Sequence, residues 1–134
     1  MTTKEFKWPL RVYIEDTDAG GIVFYINYLK YMERARTEML RAVGFDKNAV
    51  FSEDLMFVVR AANVRYRRPA RLDDEVIATA RIVESRAAQL IFEQRILRGA
   101  EELCGGNVNI ACVDKNTLKP KPISKTLLVA LNAL

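Results

Sequence analysis

RVYIEDTDAGGIVFYINYLKYMERARTEMLRAVGF, residues 11–45, changes its hydrophobic period partway along. Leu10, Val12 and Ile14 alternate with Arg11, Tyr13 and Glu15, which predicts a first strand. EDTDAGG, residues 15–21, follows, and its Asp, Thr and Gly content predicts a loop with at least one tight backbone position. From about Tyr25 to Val43 the period becomes helical. Leu29, Met32, Met39, Leu40 and Val43 form a stripe with small Ala35, and Glu33, Arg34, Arg36, Glu38 and Arg41 occupy the rest. Glu33 with Arg36 and Glu38 with Arg41 are i,i+3 pairs. Gly44 suits the position just past the helix end.

Outward from this stretch the chain alternates. Residues 56–67, 75–84, 88–98 and 107–113 each read as strands. Ser85-Arg86 and the run Arg98 to Glu101 are tight connections, so neighbouring strands are antiparallel. Gly105-Gly106 reads as a bulge. Lys119-Pro120-Lys121-Pro122 breaks the pattern, and Ser124 can cap a short last helix with a stripe of Leu127, Leu128 and Leu131. The order is strand, long helix, then four long strands. One antiparallel sheet must bury its apolar face, and the long helix is the only element large enough to cover it. That is α+β, with a sheet curled around one helix. No repeat or linker interrupts residues 1–134, so a single domain is expected.

Composition narrows the chemistry. The chain contains no histidine. Ser-His-Asp and Cys-His catalysis and histidine-ligated zinc are therefore excluded. Acid–base work near neutral pH falls to carboxylates, Lys, Tyr, Cys, water or backbone groups. Cys104 and Cys112 form no CxxC and no disulfide framework, which suits a reducing compartment. The opening MTTKEFKWPL lacks a signal-peptide apolar run, and no stretch of about 18 apolar residues exists to span a membrane. A cytoplasmic protein is expected. The net charge of +4 suits a phosphate-bearing ligand or partner. Tyr66 alone does not interleave aromatics with the arginine run as stacking platforms would, so no nucleic acid is expected.

The loop at residues 15–21 leads into a helix start, where unpaired N–H groups carry partial positive charge. Such an end stabilises a carbonyl oxygen becoming an oxyanion. Glu15, Asp16 and Asp18 supply carboxylates beside it. A carboxylate near an oxyanion site can attack a carbonyl or activate water. A thioester suits this pairing because its thiolate leaves without a strong general acid. On pattern alone, the simpler reading of Asp16, Thr17 and Asp18 is a turn and a helix cap.

The 11–45 stretch closely resembles the opening of the hotdog acyl-CoA thioesterases, and DTDAGGIVFYINY followed by ERAR is its most specific part. The chain looks most like the YbgC-type enzymes associated with Tol–Pal. FVVRAANVRYRRPARLDDEV, QLIFEQRI and ACVDKNTLKPKPI fit the same family, so the resemblance covers nearly the whole chain. It implies the hotdog fold, with a curved antiparallel sheet wrapped around one long central helix. By position it makes Asp18 the catalytic carboxylate. It puts the polarising N–H near Tyr25, lets the backbone approach the thioester at Gly20-Gly21, and matches Asn27 and Tyr28 to the family's ligand-side pair. Arg86 falls at the hairpin expected to hold the CoA nucleotide phosphate, with Arg60 as a further candidate or a sheet-face ion pair. No metal or cofactor is implied. Two subunits are expected to pair edge to edge, with sites between them and a dimer of dimers overall.

Two departures matter. Tyr25 stands where many YbgC-type members have histidine, and there the chain resembles the 4-hydroxybenzoyl-CoA thioesterases. Tyr13 matches a family tyrosine, whereas Ile14 replaces a second one seen in some members. An aromatic acyl-CoA is therefore the alternative substrate, and a noncatalytic acyl-CoA or acyl-carrier binding module is the alternative outside enzymology. Glu33 on the helix is a second candidate carboxylate, more simply read as an ion-pair partner. Arg65, Arg67, Arg68 and Arg71 read either as a strand end paired with Asp73 and Asp74 or as a surface attracting CoA phosphates or an acidic acyl carrier protein. Phe24, Met56 and Phe57 read as core or as acyl-pocket wall, and Cys112 as an inert strand residue.

Overall fold

The computed structural model describes residues 2–45 and 54–134. Within them the chain forms β1 (Phe6–Arg11), a 3-10 turn (Ile14–Asp16), α1 (Ile26–Ala42), β2 (Leu55–Tyr66), β3 (Glu75–Arg86), β4 (Gln89–Arg98), β5 (Glu101–Asp114) and α2 (Lys125–Asn132). The strands make one sheet in the order β1-β3-β4-β5-β2. Every neighbouring pair is antiparallel. β1 and β2 lie at opposite edges, so α1 carries the chain across the sheet. Four strand spacings are about 19 Å. Seventeen helical residues span about 25 Å, which is enough. This is the hotdog arrangement that the resemblance implies.

α1 packs chiefly on β3. It buries Tyr28, Tyr31, Met32, Ala35 and Met39, while Leu29, Leu40 and Val43 are only partly covered. The buried stripe is thus rotated from the expected one, and it takes in Arg36. Ala35 on the helix meets a sheet whose β3 carries Ala78 and Ala80, all fully buried. Small residues on both sides let the helix sit close to the sheet. Phe92, fully buried on β4, adds about 2 kcal/mol of burial. α1 ends as expected at Gly44, with φ +88°. Gly44 N–H donates to Arg41 O and Phe45 N–H to Leu40 O, which closes a Schellman motif. Ser124 Oγ accepts from Leu127 N–H at 3.2 Å, and Leu127 and Leu131 are buried under α2.

Four expectations shift. β1 lies earlier than the Leu10–Ile14 alternation, and Ile14 is 75% exposed. Asp16 Oδ2 accepts from Tyr13 N–H, and Thr17 Oγ1 donates to Ile14 O. These local bonds turn the backbone away from the sheet. The β3–β4 turn is Ala87-Ala88, because Arg86 already pairs with Gln89. β5 starts at Glu101 rather than at 107. Leu103 and Cys104 are both buried where the register shifts opposite Ile96 and Leu97, which breaks the alternation that marks a strand. Gly105-Gly106 is not a bulge. Both residues are in regular register with Arg65 and Val64, and the β2 shift falls between Val59 and Ala61.

Candidate active site

The loop between β1 and α1 is held by main-chain bonds together with the side chains of Asp16, Thr17, Asp18 and Asn27. Asp16 O accepts from Phe24 N–H at 2.9 Å and from Asn27 Nδ2 at 2.7 Å. Thr17 bridges Val23. Asp18 N–H donates to Ile22 O at 2.9 Å, and Gly21 N–H donates to Asp18 O at 3.1 Å. Gly21 closes this turn at φ +76°, in the left-handed region that disfavours side chains. The turn folds residues 16–18 back against 22–24, which run directly into α1. It thereby fixes Asp18 beside the helix start. The Asp18 side chain is exposed. Its Oδ1 accepts from Gly20 N–H at 2.8 Å, and no other donor among the described residues reaches the carboxylate.

The helix start is uncapped. Tyr25 occupies the N-cap without a side-chain bond. Asn27 N–H donates to Phe24 O and Tyr28 N–H to Tyr25 O. Among the described residues, the N–H groups of Tyr25 and Ile26 meet no acceptor. They are two of the donors every helix leaves unpaired, and they carry the positive end of its dipole. The turn that carries this exposed carboxylate thus runs into a helix start with two unpaired N–H groups among the described residues.

An aromatic wall adjoins this corner. Tyr66, at the end of β2, stands edge-on to Tyr25 with centroids 6.0 Å apart and is 5.6 Å from Tyr28. Tyr25, Tyr28 and Tyr66 line a cavity of about 230 Å³ together with Ile22, Val23 and Pro69. Burial pushes the Tyr28 and Tyr66 hydroxyls above the usual tyrosine value. Tyr28 Oη accepts from Ala70 N–H at 2.8 Å, and Ala70 O accepts from Val23 N–H at 2.9 Å. Asn27 and Tyr28 are thus buried and bonded to the backbone of the loops that flank Asp18.

The remaining candidates are dispersed. Arg60 is exposed at the β2 bulge and has no ion-pair partner among the described residues. Arg86 pairs with Glu84 at 3.3 Å, both side chains about half exposed. In the arginine run, Arg67 pairs with Glu102 and Arg68 with Glu101, while Asp74 pairs with Arg98. The expected pairing of that run with Asp73 and Asp74 is replaced, because the strand register brings the start of β5 against the end of β2. Arg41 pairs with Glu38 as expected. Arg36 instead turns inward to Gln94 and leaves Glu33 exposed. Phe24 is 45% exposed, Met56 and Phe57 are half-buried, and Cys112 is buried. No acidic or thiol cluster that could hold a metal ion exists among the described residues. None of their helices is long and apolar enough to cross a membrane. The placements of Tyr66 and Arg36 escape a reading by pattern. Tyr66 is hidden inside the arginine run, where an aromatic beside charges is the only signal. Arg36 is hidden by its charge.

Residues 12–131 match the family model described as the Thioesterase-like superfamily. The acyl-CoA thioester hydrolase YbgC of Escherichia coli is 43% identical over 129 residues, which cover 96% of each chain. The acyl-CoA thioesterase YbgC of Haemophilus influenzae is 39% identical over 135 residues, covering 100% of this chain and 99% of that relative. The crystal structure of a probable thioesterase from Bartonella henselae superposes with a TM-score of 0.86 at 34% identity, covering 90% of this chain and 100% of that one.

Proposed function

The chain belongs to the thioesterase-like superfamily and is an acyl-CoA thioesterase, and we propose that Asp18 carries its chemistry at the start of α1. The thioester carbonyl lies with its oxygen toward the free N–H groups of Tyr25 and Ile26. Asp18 attacks the carbonyl carbon or takes a proton from an attacking water. Negative charge builds on the carbonyl oxygen, where the helix dipole and the two donors stabilise it. The C–S bond breaks and the CoA thiolate leaves: with water as nucleophile the free acid remains, and with Asp18 as nucleophile an acyl-Asp18 anhydride remains, which water cleaves to the free acid and the restored carboxylate. The supporting observation is a carboxylate with an unbonded oxygen, held by a backbone-locked turn next to an uncapped helix. Gly20 and Gly21 contribute the turn itself. Asn27 and Tyr28 act through the loops they hold. Turnover by Asp18→Asn tests the assignment.

CoA binding is assigned to surface arginines, Arg86 first. Its exposed pair with Glu84 is weak enough for a phosphate to displace. Arg86→Ala is expected to raise KM for acyl-CoA several-fold with kcat less affected, because the thioester lies at the far end of the pantetheine arm. A truncated thioester without the nucleotide should not distinguish wild type from variant, and the penalty should shrink as salt rises. Equal loss on full and truncated substrates would give Arg86 a structural or catalytic role. No loss on either would shift phosphate binding to Arg60, Arg65 or Arg71, which lack carboxylate partners among the described residues. An acyl carrier protein presents the same phosphopantetheine arm and is the alternative acyl donor.

The chain acts in this reading as one hotdog domain that pairs through β2. That strand is twelve residues long, bonds among the described strands only to β5, and exposes Val59 at 56% beside Ala61 and Ala62. A long bare edge of this kind invites pairing with a second copy. Exposed Ile14, Phe24 and Ile26 beside the site would be covered by the same partner. Dimers then associate into a tetramer, with sites between subunits. Light scattering at micromolar concentration should give the mass of a dimer or tetramer, and a monomer alone would overturn the assembly. Two buried free thiols and a CoA substrate favour the cytoplasm.

A further inference from the structure

Arg36 departs from the helix that carries it. A guanidinium usually stays in water, yet this residue is only 8% exposed. Among the described residues its side chain makes one hydrogen bond, from Nη1 to Gln94 Oε1 at 2.9 Å. No carboxylate of the described residues pairs with it. Gln94 is fully buried, and its Nε2 donates to the carbonyls of Met32 and Thr79, both at 2.9 Å. Those two bonds fix the amide so that only its oxygen faces Arg36. A guanidinium has five donors. One meets Gln94 Oε1, and no Arg36 nitrogen is a buried atom without a partner, so the others face a cavity, with Glu33 close enough to favour the charge. Water can meet those donors there, and so can an anion that enters.

What Arg36 adjoins is a cavity of about 160 Å³ between α1 and the β2–β5 side of the sheet. Ile26, Leu29, Val59, Ala62 and Val108 form its apolar walls. Lys30 and Glu33 also line it and offset each other in charge, so Arg36 leaves the cavity with a net positive charge. The cavity reaches the reacting centre through Ile26, whose own N–H is one of the two free donors. Helix side chains lean toward the N-terminus, which directs the guanidinium back toward that end.

We propose that this cavity receives the acyl group and that Arg36 selects a short acyl chain ending in a carboxylate. The inference rests on the thioesterase reading with Asp18. Two methylenes and a carboxylate, the part of succinyl-CoA beyond its thioester carbonyl, make such a chain. Its methylenes lie on the aliphatic walls, and its two oxygens accept the unmatched guanidinium donors as a fork. A site built to bond an acceptor rejects the analogue that lacks it, because its own polar group is then left unpaired.

Hydrolysis of succinyl-CoA, corrected for spontaneous breakdown, is compared with that of 4-methylpentanoyl-CoA, its uncharged shape analogue. Wild type is expected to prefer succinyl-CoA by at least about tenfold in kcat/KM. Arg36→Met should lower that preference by at least about tenfold while leaving the uncharged substrate within about threefold, and Arg36→Lys should restore part of it. A parallel fall on both substrates would make Arg36 only a packing residue and overturn the proposal. So would a wild type that prefers the uncharged chain. If Arg36→Met does not fold, wild type still decides: succinate should inhibit more strongly than 4-methylpentanoate, and the reverse order overturns the selection. Turnover of other acyl-CoAs but of neither of these two sinks this proposal alone. No turnover of any acyl-CoA sinks the thioesterase reading with it.

Discussion

Asp18→Asn is expected to hydrolyse acyl-CoA at least about 10²-fold more slowly than wild type while keeping its fold and its oligomer. The substitution keeps the size of the side chain, and an amide oxygen can still accept from Gly20 N–H as Asp18 Oδ1 does at 2.8 Å. The turn is otherwise held by main-chain bonds between Asp18, Gly21 and Ile22, which the change does not touch. What is lost is the negative charge that attacks or takes a proton. No histidine exists to substitute for it. Glu33→Gln is the control. Glu33 is exposed on α1 and forms no ion pair among the described residues, so its loss should change turnover of uncharged acyl-CoAs by less than about threefold. Steady-state rates on a panel of short, long and aromatic acyl-CoAs, with circular dichroism to verify folding, read both. Near-normal turnover by a folded Asp18→Asn protein would remove Asp18 from the mechanism, and a large loss in Glu33→Gln would move the chemistry onto the helix.

The largest expected effect on stability is at Gly106. A Cβ there would stand 2.0 Å from Asn63 O and 2.8 Å from Val64 Cα. Both are backbone atoms of β2, which Gly106 faces in register. They cannot swing aside as a side chain does, so β2 must move away and give up pairing with β5. Gly106→Ala should therefore cost at least about 3 kcal/mol, the upper end for overpacking. For a domain of this size that lowers Tm by about 10 °C or more. Gly105→Ala offers an internal contrast. Its Cβ would meet only the end of the Glu102 side chain, at 3.2 Å, and that end can rotate away. A cost under about 1 kcal/mol is expected. Thermal melts at equal protein concentration compare the two, since association contributes to Tm. A Gly106→Ala protein that melts like wild type would mean that β2 does not pair with β5 in this register.

The helix and three of the four later strands were legible because period and burial agree there. Met32, Ala35 and Met39 lie on one face of α1, and Gly44 stops it. Misreadings arose where a local bond or a cross-strand partner overrules the pattern. Asp16 and Thr17 turn the chain before Ile14 can join β1. The shift at Leu103 buries two successive residues and hides the first half of β5. Gly106 is a glycine because β2 approaches it, and no local pattern announces that approach. Arg36 read as solvent-facing because its partner, Gln94, lies 58 residues away. The site divides similarly. Composition marks EDTDAGG as a turn before a helix, but a turn and cap explains those residues equally well. The long match to the thioesterase opening singled out Asp18. Tyr66 joins Tyr25 and Tyr28 only once β2 has been laid along the far edge of the sheet.

A crystal structure of Asp18→Asn with an acyl-CoA analogue whose thioester cannot be cleaved tests the assignment most directly. The carbonyl oxygen is expected within about 3.1 Å of the N–H of Tyr25 or Ile26, with the side chain at position 18 facing the carbonyl carbon. A carbonyl bound away from the start of α1, with neither N–H reaching its oxygen, would contradict it.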